Sequence, residues 1–142
     1  MVKFPLKFET AATSSSGIGT VWNAKAGNLP AIPSCIPPEF GGPGGGYSPE
    51  DLFAISILNC LIATFKVYAE KGGVVYGEIH GRAVVTADKS PPSFAMTHVE
   101  IFFEIGGAQN QEKAKATLEG AIRDCAVSNS IKSGKTFHIH FI

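Results

Sequence analysis

The sequence predicts an α+β fold, in the order β-β-(β)-α-β-β-α-β with no internal repeat. Three observations lead there. Leu52 to Phe65 is an apolar run too long for a strand, opening on helix-start residues. Val99, Ile101 and Phe103 alternate with His98, Glu100 and Phe102, as a half-buried strand does. Ala114, Leu118, Ala121, Ile122 and Cys125 recur at spacings of three and four, the signature of one helix face. The length of 142 residues suits one domain with a real core. Within it we distinguish N-terminal strands and a Pro/Gly-rich loop over 1–47 from a helical and sheet-forming part over 48–142.

The elements follow in order. Lys3 to Glu9, with Pro5 marking an edge, and Gly17 to Ala24 read as strands separated by a turn at Thr13-Ser14-Ser15-Ser16-Gly17. Asn28 to Ser48, with Pro30, Pro33, Pro37, Pro38 and a glycine-rich stretch from Gly41 to Gly46, forms neither helix nor central strand. Ser48-Pro49-Glu50-Asp51 starts a helix: the hydroxyl caps free N–H groups, proline suits the first helical position, and carboxylates suit the positive end of the dipole. That helix is predicted over Pro49–Glu70, stopping at Lys71-Gly72-Gly73. Being apolar on nearly all sides, it has to be wrapped by protein. Val74 to Ala87 and Met96 to Ile105 are predicted strands joined by the loop Lys89 to Ser93. A second helix is expected from Asn110 to Val127, with Cys125 pointing inward, and a final strand from Thr136 to Ile142.

Composition narrows the function classes. Twelve basic residues balance 12 acidic ones, so the chain has no field that draws in polyanions, which argues against nucleic acid as a partner. Residues are 44% hydrophobic and only 17% charged, leaving little polar surface for a lone monomer; a homodimer is the expectation. No uninterrupted run of 18 apolar residues occurs, and Met1-Val2-Lys3-Phe4-Pro5 lacks the apolar core of a secretory signal, so a cytoplasmic protein without a membrane span is expected. Three cysteines, at 35, 60 and 125, are too few and too scattered for a disulfide framework or a metal knuckle. They are inert core thiols or redox-active ones.

Cys60 shares a helix face with the mildly polar Ser56 and Thr64 and can line a small pocket, although a lone free cysteine is most often a small buried hydrophobe. Glu50 precedes Cys60 by ten residues, a rise of about 15 Å along a continuous helix, too far to act on its own chain's sulfur. Either Glu50 acts on Cys60 of the partner subunit, or it serves only the helix dipole. His138 and His140 lie on one side of the last strand, opposite Phe137, Ile139 and Phe141; they read as solvent-face residues and no metal site is expected. His80 and Arg82 on one strand, with Glu100 and Glu104 on the next, read as cross-strand charge pairing. The glycine stretch lacks the Lys-Ser/Thr of a phosphate loop, and Cys35 reads as a spectator.

Two blocks carry a family resemblance. Pro37-Pro38-Glu39-Phe40-Gly41-Gly42 followed by Ser48-Pro49-Glu50-Asp51-Leu52-Phe53-Ala54 and Cys60, with Cys125-Ala126-Val127-Ser128-Asn129 downstream, resembles the OsmC/Ohr family of osmotically induced and organic-hydroperoxide-resistance proteins over residues 36 to 142. The resemblance implies a β-rich swapped dimer around a long buried helix. It also implies a thiol-dependent peroxide reductase without cofactor, in which Cys60 is the peroxidatic thiolate, Cys125 resolves its sulfenic acid as a disulfide, and a thiol or dithiol reductant resets the pair. Two positions depart from the pattern. Pro38 stands where the hydroperoxide-reductase branch has an arginine that pairs with the helix-start glutamate and holds the thiolate, leaving Lys7, Lys25 or Arg82 as substitutes. Ala126 stands where the family has proline in Cys-Pro-Val-Ser. The missing arginine keeps a second reading in view: a small-molecule binding or structural dimer of the same fold without a peroxidase cycle.

Overall fold

The structure is a computed structural model describing residues 1–142, and the chain forms two compact units, Met1–Leu52 and Phe53–Ile142. The first unit holds a three-stranded antiparallel sheet of β1 (Thr10–Thr13), β2 (Trp22–Ala26) and β3 (Ile32–Ser34), in that order. The strand expected over Lys3 to Glu9 is absent. Its apolar side chains stand in solvent, with Phe4 82%, Leu6 50% and Phe8 89% exposed, because an isolated strand without a hydrogen-bonded neighbour is not stable. Pairing starts instead at Thr10, and Gly17, at φ 108, turns the chain so that Thr20 N–H donates to Gly17 O at 3.2 Å. The strand expected from Gly17 therefore begins only at Trp22.

The Pro/Gly-rich segment is more ordered than its composition suggests. It contributes β3 as an edge strand, where Pro33 is tolerated, and a single 3-10 turn over Pro38–Phe40. Tyr47 N–H donates to Pro33 O at 2.8 Å and Cys35 N–H to Tyr47 O at 3.2 Å, closing the loop on itself. A Cβ at Gly42 would collide with the Ile36 carbonyl oxygen, so this closure needs glycine there.

Helix α1 (Pro49–Gly72) opens on a reciprocal capping box. Ser48 Oγ accepts from Asp51 N–H and Asp51 Oδ2 accepts from Ser48 N–H, both at 3.0 Å. In the second unit it is followed by β4 (Glu78–Ser90), β5 (Ser93–Gly106), α2 (Gln111–Asp124), a one-turn α3 (Ala126–Asn129) and β6 (Gly134–Phe141). The sheet order is β4-β5-β6. The first pair is an antiparallel hairpin and the second is parallel, with α2 as the crossover. Several predicted boundaries shift. Val74 to Gly77 stays outside the sheet. The predicted Lys89–Ser93 loop contracts to Pro91-Pro92, because Ser90 pairs with Ser93 and Lys89 with Phe94. The second helix stops at Asp124 instead of running to Val127.

Val99, Ile101, Phe103 and Ile105 project from one side of the central strand β5 and are buried with Ile57, Leu61, Phe65 and Ala69 of α1 and Leu118 and Ala121 of α2. Gly81 on β4 lets α1 come close: a Cβ there would lie 2.9 Å from the Phe103 ring and 3.1 Å from Leu58. Helix α1 is also long and apolar enough, by length and composition, to cross a membrane. Within this chain one stripe of it packs on the sheet, while Ser56, Asn59, Ala63 and Val67 remain exposed.

Candidate functional site

The inner face of the second unit gathers two of the three predicted site residues. Cys60 lies midway along α1, half-buried and packed against the core; Cys125 is fully buried within it. Both are free thiols, and although 65 positions apart in the chain they lie on the same core cluster. Cys125 does not sit inside a helix as expected. Its backbone, at φ −66 and ψ 115, ends α2 and caps α3, and its Sγ accepts from Ser128 N–H at 3.5 Å. The apolar stripe of Ala114, Leu118 and Ala121 still carries it inward.

The two sulfurs ionise differently. Burial pushes the Cys60 thiol up, but hydrogen bonds outweigh it: the Cys125 thiol first, then the Val127 N–H, the Thr64 hydroxyl and the Ala126 N–H. The result lies below the ordinary thiol value. Every one of these donors is neutral. Cys125 is pushed up to about 11, by burial and then by its hydrogen bond to Cys60. The two thiols are thus shifted in opposite directions, Cys60 down and Cys125 up. Thr64 Oγ1 lies 2.8 Å from the Cys60 carbonyl, so rotation of one hydroxyl proton chooses between carbonyl and sulfur.

Glu50, the third predicted residue, is not brought to this pair. It occupies the first turn of α1, ten residues and about 15 Å of helix rise before Cys60. One of its carboxylate oxygens, Oε2, is buried without a hydrogen-bond partner. Sequence reasoning missed the Ala126 and Val127 N–H groups, since a main-chain donor leaves no side-chain signature. It also missed Tyr68, whose hydroxyl donates to Asp124 Oδ2 at 2.7 Å and ties α1 to the residue preceding Cys125.

The other candidates fall elsewhere. Of the cross-strand charge pairing expected for His80 and Arg82, His80 does stand opposite Glu104, whereas Arg82 has Phe102 as its direct neighbour on β5 and lies 4.1 Å above that ring on the outer sheet face. His138 stacks on the other side of that ring at 4.6 Å and bonds Glu100 Oε1 at 3.0 Å. No three His, Cys, Asp or Glu side chains are arranged to hold a metal ion. Cys35 is buried in the first unit, where its thiol donates to Gly46 O at 3.3 Å.

Comparison with known proteins gives a consistent picture. The model of the OsmC-like protein family matches residues 42–140. Among solved structures, an OsmC-like protein of unknown function from Vibrio cholerae superposes with a TM-score of 0.83 at 14% identity, covering 95% of this chain and 99% of that one. An organic hydroperoxide resistance protein from Elizabethkingia anophelis gives 0.76 at 22% identity, covering 99% and 98%. The organic hydroperoxide resistance protein OsmC of Legionella pneumophila gives 0.69 at 21% identity, covering 96% and 98%. At these identities the structures show the shared fold. Among curated proteins there is no significant match.

Proposed function

The chain belongs to the OsmC-like family, and from that premise we propose that it is a cysteine-based reductase of organic hydroperoxides. The observation that carries this reading is the pair of free thiols, Cys60 on α1 and Cys125 between α2 and α3, brought onto one core cluster from distant parts of the chain. A thiolate is the nucleophile that peroxide reduction requires.

In the first step the Cys60 thiolate attacks the distal oxygen of a hydroperoxide. An S–O bond forms, the O–O bond breaks, and the leaving alkoxide takes a proton to depart as an alcohol. Sulfur is oxidised to sulfenic acid and the peroxide is reduced. In the second step Cys125 attacks the Cys60 sulfur, forming the disulfide and releasing water. Two equivalents of an external thiol, or one dithiol, then reduce the disulfide. The apolar core against which Cys60 packs favours an organic peroxide over hydrogen peroxide. A thiol-dependent cycle of this kind belongs in a reducing compartment, the cytoplasm.

A homodimer completes this reading. The one-sided burial of α1 and the exposed Phe4, Leu6 and Phe8 leave apolar surface for a second copy to cover. The buried, unpartnered Oε2 of Glu50 supports a role beyond favouring the helix dipole, which we assign to Cys60 of the partner subunit. Pro38, where an arginine would be expected, favours the other reading, a binding or structural dimer. One experiment separates them: reduced protein is mixed with cumene hydroperoxide, tert-butyl hydroperoxide or hydrogen peroxide, and thiol loss and the Cys60–Cys125 disulfide are followed by mass. Rapid disulfide formation with the organic peroxides, abolished by Cys60→Ser, is expected. Thiols reacting no faster than a small free thiol would leave only the binding dimer.

A further inference from the structure

We infer that Tyr68 is a positioning residue: its hydroxyl, bonded to Asp124, clasps the turn that carries Cys125 to the helix that carries Cys60. Cys60, Thr64 and Tyr68 follow one another at spacings of four and so share one face of α1. About two turns beyond Cys60, the Tyr68 hydroxyl donates to Asp124 Oδ2 at 2.7 Å, and Asp124 is the last residue of α2, joined directly to Cys125. A Cβ built at Gly120, one turn earlier on α2, would lie 3.7 Å from the Tyr68 ring, an ordinary contact. The ring therefore lies along the end of α2 and brings its hydroxyl to the break. Cys60 and Tyr68 both pack on the core cluster that contains Cys125.

The turn after Asp124 is tied to itself, so one anchor locates all of it. Asn129 Nδ2 donates back across the break to Arg123 O at 2.9 Å, Asn129 N–H donates to Cys125 O at 2.9 Å, and Ser130 Oγ donates to Ala126 O at 2.7 Å. Apolar packing is non-directional and does not by itself set the register of such a unit on α1; a short hydrogen bond does. The bond to the Asp124 carboxylate also raises the Tyr68 hydroxyl above its ordinary 10.0, so the donor keeps its proton at neutral and mildly alkaline pH. The consequence falls on the disulfide. With the clasp closed, Cys125 is held on the Cys60 side of the core before any bond joins them. With it open, the dithiol form gains arrangements in which the two sulfurs are apart, and the disulfide form does not, so opening favours the dithiol.

The inference rests on the reading of Cys60 and Cys125 as a disulfide-forming pair, yet its test runs without peroxide, so the two can fail separately. The full chain is equilibrated with mixtures of reduced and oxidised glutathione, in which two protein thiols and one glutathione disulfide exchange for the Cys60–Cys125 disulfide and two glutathione thiols. The oxidised fraction is read by peptide mass after acid quenching. Loss of one partly exposed hydrogen bond to a carboxylate should shift this equilibrium about fivefold toward the dithiol, or about 20 mV in reduction potential, in Tyr68→Phe and in Asp124→Ala alike. Asp124→Asn, which keeps an acceptor oxygen, should stay near the wild type, and the double variant Tyr68→Phe/Asp124→Ala should shift no further than either single one. A natively folded Tyr68→Phe with the wild-type equilibrium, or shifts that add in the double variant, would overturn the inference. Tyr68→Phe keeps the ring and Asp124→Ala changes an exposed residue, so either variant decides where the other misfolds. A wild type that forms no Cys60–Cys125 disulfide at any glutathione ratio would instead overturn the two-cysteine cycle, and the clasp with it.

Discussion

At the scale of the residue, Cys60 and Cys125 are the same chemical group made different by their surroundings. Cys60 lies on α1, where its sulfur is open to three kinds of donor, and Cys125 is sealed in the core. Their opposite shifts couple folding to pH with opposite signs. Cys60 ionises more readily when folded, so its contribution to stability grows as pH rises through its folded value and is complete above the ordinary 9.0. Cys125 holds its proton to about 11, so its contribution is intact below 9.0 and is lost as pH climbs between the two. Urea unfolding of the reduced protein should therefore show a decline in stability over that alkaline window that Cys125→Ala lacks. Identical alkaline slopes in the two proteins would contradict it. That both cysteines face inward was legible from helix periodicity. The direction in which each thiol is shifted was not, because it depends on burial and on groups brought from a segment distant in sequence.

At the scale of the element, local chemistry wrote α1 plainly: capping box, proline at the first position and terminal glycines all act within a few residues, and the helix ends within two residues of expectation. Elements that depend on a distant partner were read less well. The strand expected over Lys3 to Glu9 has the right composition but no neighbour. The second helix breaks at Cys125 although its periodicity continues through it, because the inward Cys125 takes up the cap of α3. Gly81 shows the same dependence. Glycine weakens a strand, so Gly81→Ala would by propensity alone be neutral or slightly stabilising. With Phe103 at 2.9 Å and Leu58 at 3.1 Å from the added methyl, overpacking wins, and we expect a loss of about 1–3 kcal/mol in a denaturant titration. An unchanged midpoint would mean that α1 moves away at no cost.

At the scale of the whole molecule, the chain exposes more apolar surface than it can cover alone. Phe4, Leu6 and Phe8 lie on a segment with no strand pairing of its own, and their alternation suits a strand added to another copy's sheet. Light scattering should give a mass near twice 14.9 kDa. Deleting residues 1–9 should shift the mass toward the monomer and suppress peroxide reduction. Oxidation of Cys60 and Cys125 to the disulfide by a diffusible thiol oxidant should survive, since both residues lie in the second unit. A truncated protein that remains dimeric with full peroxide reduction would refute a role for this segment. Phe65→Ala, by contrast, strikes the core within one chain and should cost about 3–5 kcal/mol.

The sequence by itself determined the α+β class, the span of α1, the inward faces of β5 and α2, and the presence of thiols on two of those inward surfaces. Each follows from periodicity or capping, which act over one or two turns of chain. Only the tertiary structure decided that Cys60 and Cys125 share one core cluster, that the second helix breaks at Cys125, and that Arg82 covers an aromatic ring instead. Those outcomes depend on desolvation and on hydrogen bonds between segments far apart in sequence, and no local pattern encodes them.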